Sequence, residues 1–294
     1  MRRNIRKSSR TVSSLVWYTV LGLISLVALL PILYMLANSF MGADEIRKYY
    51  GAIFGSSGEA AMSFHILPDE ATLDGYYQML LRRPDYLMKF WNSLFLTISI
   101  VIGQVVVSCI SAYGFAKFRF PLREPIFFLF IVLMMMPYQV TLVSNYIVLD
   151  QMKLIGSYAA IILPGIFGAF GVFLMRQVVA SVPDDIIEAA KLDGASPWQA
   201  LKSITLPLVQ PTTLFVLTIT MADAFKMVDL ILVMTTKGGP NNSTNLLMNH
   251  IYQMAFSYWD TGQASVLTIC MLGFMLVVAL VQFTTMDKRA YYEN

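Results

Sequence analysis

Six runs of about 20 apolar residues divide this 294-residue chain, near 15–38, 93–116, 125–148, 157–179, 208–235 and 264–286. At ~1.5 Å of rise per residue, a helix over each run is long enough to cross the ~30 Å hydrocarbon core of a bilayer. Lipid offers no hydrogen bonds, so a spanning segment must satisfy its backbone internally, and a helix does so. The expected fold is all-α, a polytopic membrane protein with six transmembrane helices. Composition agrees, because 57% hydrophobic and 13% charged residues give too little polar surface for soluble domains of this length. The first run follows "MRRNIRKSSR", which resembles the basic start of a signal peptide. Its apolar stretch is too long for one and no small-residue cleavage pattern follows, so it is read as a retained span.

The net charge is +3, and the basic residues lie in short clusters beside apolar runs instead of along one stripe, which excludes a nucleic-acid surface. Their distribution orients the chain. With six spans both termini share a side, and that side carries Arg2, Arg3, Arg6, Lys7 and Arg10, then Lys117, Arg119 and Arg123, then Arg176, Lys191 and Lys202, and finally Lys288 and Arg289. The other side has seven basic residues, mostly in the long 41–90 loop. The expectation is a cell (plasma or inner) membrane protein with both termini cytoplasmic: a basic segment 1–14, a membrane domain 15–287 with a cytoplasmic loop 181–207, and a tail 288–294.

Catalytic constellations are missing from the sequence. His65 and His250 are far apart with no HExxH pattern, so no metal is expected. "TTKGGP" is not a phosphate cradle, because its lysine precedes the glycines. The chain is therefore not expected to be an enzyme or to hold a cofactor, and any driving nucleotide belongs on another chain. Cys109 and Cys270 sit singly in apolar runs and read as packing residues. Thr72 and Ser93 are candidate helix N-caps, and the Asn241-Asn242-Ser243-Thr244 sequon matters only in a secretory host. Pro31, Pro137 and Pro164 fall within spans one, three and four, where a proline is either a packed kink or a break lining a pathway.

Charge within a span is costly and marks candidate function. In span five Asp223, Lys226 and Asp229 recur at i, i+3 and i+6, so a continuous helix would place them on one face, as an ion-pair network or as part of a permeation path. Gln104 and Gln139, in spans two and three, are uncharged and suit hydroxyl-rich ligands or helix-to-helix bonding.

Between spans four and five lies "VPDDIIEAAKLDGASPWQALKSITLPLVQP". Pro183 suits a first helical turn, and Asp184 and Asp185 put negative charge at its positive end. Asp193-Gly194 closes this helix, with glycine free to take the left-handed conformation. Ser196, Pro197 and Gln199 then form a capping box that starts a second helix, which Pro207 leads into span five. Local physics leaves two readings, an amphipathic linker on the membrane or a docking knob for a soluble partner.

The spacing Glu188-Ala189-Ala190, three residues, Gly194, nine residues, Ile204-x-Leu206-Pro207 matches the EAA loop of ABC importer membrane subunits. With "WNSLFLT", "MMMPYQVTLVSNYIVLDQMKLIGSYAAIILP" and "VDLILVMTTKGGPNNSTN", the chain over roughly 85–250 resembles the carbohydrate-uptake permeases of the maltose-transporter type. Up to about residue 210 it resembles the MalG-type half of such a pair, whereas "VDLILVMTTKGGPNN" resembles the MalF-type half. The resemblance implies a binding-protein-dependent sugar importer with a second homologous permease subunit in a heterodimer, two cytoplasmic ATPase subunits that bind ATP-Mg, and an extracytoplasmic binding protein. It implies ATPase docking at Glu188, Ala189, Ala190 and Gly194, with Asp193 and Ala195 beside them. An importer of another small solute, or an ion-coupled transporter with Asp223, Lys226 and Asp229 as a relay, is the alternative.

Overall fold

The computed structural model describes residues 2–50, 65–82, 85–235, 239 and 244–287. Parts of the 41–90 loop, most of "TTKGGPNNSTN" with the asparagines of its sequon, and the 288–294 tail lie outside the described residues. The helices run in the order α1 (Arg2–Ser39), α2 (Ala43–Tyr50), α3 (Asp74–Tyr77), α4 (Asp85–Lys117), α5 (Arg123–Met135), α6 (Tyr138–Gln151), α7 (Tyr158–Ile166), α8 (Ala169–Ser181), α9 (Asp184–Leu192), α10 (Pro197–Ala200), α11 (Leu206–Phe225), α12 (Asp229–Met234), α13 (Leu247–Tyr252) and α14 (Thr261–Asp287). Five stretches are long and apolar enough to span a membrane: Val16–Ser39, Asp85–Lys117, Tyr158–Ser181, Trp198–Phe225 and Thr261–Thr284. A sixth counts when α5 and α6, bent by 108°, are taken as one broken span.

Two compact units divide the chain. The first comprises Met1–Arg83 with Met254–Met271. Pro31 lies within α1 without breaking it, and none of the apolar window in Val16–Ser39 is buried inside the chain. In lipid such exposure carries no hydrophobic penalty, as with Val27 at 65% exposed. Beyond α1, the Tyr76 hydroxyl donates to Ser39 Oγ at 2.7 Å, and the Thr72 amide donates to the Phe40 carbonyl at 2.8 Å. Thr72 is not the expected N-cap. Leu73 occupies that position and no side chain caps α3.

The second unit comprises Pro84–Gln253 with Leu272–Asn294. Here α4 packs against α7, α8, α11 and α13. Apolar helices in lipid gain nothing from hydrophobicity alone, so small residues that let backbones close in decide which faces meet. Gly103 lies against Ile166, Gly165 against Ile100, and Gly171 against Ser108. Ala112 is fully buried in a core with Met175, Val179, Val209 and Val216, and Val172 is fully buried in a second one with Phe115 and Phe127.

Three expectations change in this unit. Span three is broken, because Met136 and Pro137 are extended and separate α5 from α6. Span five does not run over 208–235: it is helical from Trp198, passes through Pro207 and ends at Phe225. Ser93 is not an N-cap of its own helix, since α4 begins eight residues earlier at Asp85. Its buried hydroxyl instead accepts from the Leu247 amide at 2.8 Å and caps α13, a partner 154 residues away.

Candidate functional site

The 182–207 segment folds by short-range rules. Pro183 stands one place earlier than expected, as the N-cap of α9 (φ −60°, ψ 133°), and Asp184 and Asp185 occupy the first turn. Lys117, in the last turn of α4, fixes the segment to the membrane helices. Its ammonium donates to Asp184 Oδ1 at 2.6 Å and to the Val182 carbonyl at 2.7 Å, with the lysine side chain only 9% exposed. The hydrogen bond and charge of Lys117 hold the Asp184 carboxyl below its ordinary range.

At the other end of α9, the Gly194 amide donates to the Lys191 carbonyl at 3.0 Å and the Ala195 amide to the Ala190 carbonyl at 2.9 Å. This pair of bonds is a Schellman closure, with Gly194 left-handed at φ +87°. The capping box then forms reciprocally: the Ser196 amide donates to Gln199 Oε1 at 2.7 Å and the Gln199 amide to Ser196 Oγ at 3.3 Å. A π turn at Leu201–Thr205 joins α10 to α11. Val182, Ile187 and Ala200 form a small core that holds the two helices together.

Outward from this core, Glu188, Ala189, Asp193 and Gly194 are exposed, while Ala190 and Ala195 are half-buried. Leu192 is 89% and Trp198 69% exposed. Large apolar side chains standing out from an otherwise polar corner mark a surface for contact.

The polar residues of the spans meet elsewhere in the same unit. A cavity of about 420 Å³ is lined by Gln104 from α4, Tyr138 from α6, Pro164 and Gly165 from α7, and Thr220 and Asp223 from α11. Phe167, Ala224 and the 226–230 stretch complete it. Helix ends converge here: Tyr138 follows the α5–α6 break, Phe167 lies in the extended link between α7 and α8, and Lys226 is the C-cap of α11. Gly168 permits the close approach of Gln104, since a Cβ there would collide with the glutamine amide.

Asp223, Lys226 and Asp229 therefore share a cavity, although they do not share a helical face. The helix ends at Phe225 and restarts at Asp229, which breaks the expected i, i+3, i+6 register. The ion-pair network does not form either: no salt bridge joins these side chains among the described residues. Gln139, by contrast, is exposed and does not line the cavity. Tyr138, Phe167 and Thr220 are lining residues that sequence reasoning missed. Pro137 and Pro164 carried the available signal, as candidate pathway breaks.

Glu45, His65 and Asp69 of the first unit bring their ligand atoms within 4.8 Å of one another. Those atoms are already engaged. Asp69 accepts from the Tyr49 hydroxyl at 2.6 Å and pairs with Lys48 at 3.7 Å and His65 at 3.0 Å, while Glu45 accepts from the Asp69 amide at 2.6 Å.

Residues 104–289 match the family described as "Binding-protein-dependent transport system inner membrane component". The sn-glycerol-3-phosphate transport system permease protein UgpE of Salmonella typhi is 38% identical over 137 residues, 46% of this chain and 48% of that protein. The match thus spans about half the length of this relative. UgpE of Brucella suis biovar 1 is 27% identical over 205 residues, 68% of each chain. Among solved structures, a bacterial ABC transporter involved in the import of the acidic polysaccharide alginate superposes with a TM-score of 0.74 at 18% identity, covering 93% of this chain and 96% of that one. A bacterial alginate ABC transporter in complex with an alginate pentasaccharide-bound periplasmic protein gives 0.63 at 15% identity, over 97% and 95%. The fold is that of an ABC importer permease, and the chain belongs to the family of binding-protein-dependent transport system inner membrane components.

Proposed function

We propose that this chain is one of two membrane subunits of an ATP-driven importer, pairing with a homologous permease in a heterodimer. Both termini are cytoplasmic, an extracytoplasmic binding protein delivers the solute, and two ATPase subunits bind ATP-Mg on the cytoplasmic side. The observation that carries this reading is the exposed, doubly capped corner at 182–207, tied to α4 through Lys117 and presenting Glu188, Ala189, Asp193 and Gly194 outward. Such a corner suits a mechanical link: ATP-driven closure of the ATPases moves α9, and the Lys117 contacts pass the motion to the central helix α4. Ala190 and Ala195, half-buried beneath this surface, allow close approach of a partner.

The transported solute is proposed to be a sugar or oligosaccharide that passes the cavity holding Gln104, Asp223, Lys226 and Asp229. Two carboxylates against one ammonium make that wall unfavourable to an anion, while amide, carboxylate and hydroxyl groups together suit the hydroxyls of a neutral carbohydrate. Gln139 was expected on the same path, and its position outside the cavity supports no such role.

The test is reconstitution. In proteoliposomes containing the binding protein, both permeases and the ATPases, uptake should require ATP, survive collapse of the proton gradient, and fail when the ATPases are omitted. A cysteine at Ala190 or Gly194 should crosslink to the ATPase. Uptake by this chain alone, or uptake that follows the proton gradient with ATP held constant, overturns the proposal and favours an ion-coupled relay through Asp223, Lys226 and Asp229.

A further inference from the structure

The turn between α4 and α5, "KFRFPLR" over 117–123, alternates basic with apolar residues and lies where two apolar spans end. A shallow cavity of about 350 Å³ opens there, lined by Arg119, Phe120, Leu122, Arg123, Glu124 and Pro125. Its charge is unbalanced. Lys117 is engaged by Asp184, and Arg123 and Arg176 both pair with the single carboxylate of Glu124, at 2.9 and 3.0 Å. Arg119 is exposed and has no salt-bridge partner among the described residues. Of the charged residues that line the cavity, Arg119 and Arg123 face the single carboxylate of Glu124, which leaves one positive charge there. Phe118 and Leu122 stand out at 61% and 68% exposed, as side chains that enter lipid beside a headgroup would.

We propose that this corner is a binding site for the anionic headgroup of a phospholipid, with Arg119 and Arg123 as its phosphate contacts and Phe118, Phe120 and Leu122 against the upper acyl chains. Guanidinium groups suit phosphate because their paired donors match its oxygens. Basic pockets at the ends of membrane helices are a general form of lipid recognition. The site lies beside the Lys117–Asp184 link, so an occupied headgroup would brace the same α4 terminus that holds α9.

Native mass spectrometry of the assembled transporter, with phosphatidylglycerol and phosphatidylcholine of matched chains, tests this. Phosphatidylglycerol should be retained preferentially. The preference should fall about five-fold in R119Q and further in R119Q/R123Q. R119K, which keeps the charge but loses the paired donors, should fall between the native chain and R119Q, and K153Q, at a different corner, should leave the preference unchanged. Should R119Q/R123Q fail to assemble, R119Q alone and the decline of the preference with added salt decide the matter. Equal retention of the two lipids, or a preference unchanged by R119Q, overturns the proposal. Displacement of the lipid by millimolar inorganic phosphate also overturns it, by making the ligand a soluble anion.

Discussion

The corner at 182–207 and the cavity at Asp223, Lys226 and Asp229 are built by opposite means. In the corner, the Schellman closure and the capping box join residues no more than five positions apart. In the cavity, Gln104, Tyr138, Pro164 and Asp223 come from four different helices and meet through the packing of α4 against α7 and α11 and of α6 against α12. The corner is thus expected to tolerate change elsewhere in the chain, and the cavity to fail when the packing of its helices fails.

Gly103 offers the hardest test of that contrast. A Cβ at this position would lie 2.6 Å from Ile166 Cγ1 and 2.9 Å from its Cδ1, so Gly103→Leu must push α4 and α7 apart. Overpacking of this kind costs about 1–3 kcal/mol or more. The expected outcome is a lower melting temperature in detergent, read by thiol-dye access to the half-buried Cys109 and Cys270. Uptake should be lost while the crosslink from Ala190 to the ATPase survives in whatever complex assembles. If the crosslink is lost and the thermal transition is unchanged, the two regions are not separable.

Gly194→Val is the converse. No atom lies within 4 Å of a Cβ built on Gly194, so the cost comes from the backbone alone, at φ +87°. A left-handed conformation costs an L residue about 1–2 kcal/mol, and more for a β-branched one. We expect the thermal transition of the membrane helices to stay put while ATPase coupling falls roughly ten-fold, the equivalent of ~1.4 kcal/mol. Gly194→Asn should recover part of the coupling, because asparagine tolerates this region. Equal losses in the valine and asparagine variants would show that bulk, and not backbone, is at fault.

The same contrast governs what the sequence revealed. Gly194, Ser196 and Gln199 were legible because a cap is a relation among neighbours. The end of α11 was not, since nothing between Thr212 and Val233 interrupts the apolar pattern with glycine or proline. Its cause is tertiary: Leu230, Ile231 and Met234 of α12 are buried with Leu142, Leu149, Ala160 and Ile161 of α6 and α7, and reaching that site turns the chain at Lys226. Ser93 failed as an N-cap for a similar reason, because its partner is the Leu247 amide in a distant helix. Pro137 was legible as a candidate break, but the 108° bend depends on where α6 finds its packing.

The smallest expected effect concerns the link between the corner and the membrane helices. Lys117 lowers the pKa of Asp184, so this carboxylate contributes stability that is fully present above its unfolded value of about 3.9 and is lost as pH falls through its lowered folded value. Between pH 5 and 8 the link should therefore be constant. Amide exchange of α9, corrected for its intrinsic pH dependence, should show no midpoint in that range. Asp184→Asn removes the charge at every pH but leaves the donation from Lys117 to the Val182 carbonyl, so α9 should exchange modestly faster with the same flat profile. A midpoint between pH 5 and 7 in the native chain would mean that a group other than Asp184 sets the anchoring of α9.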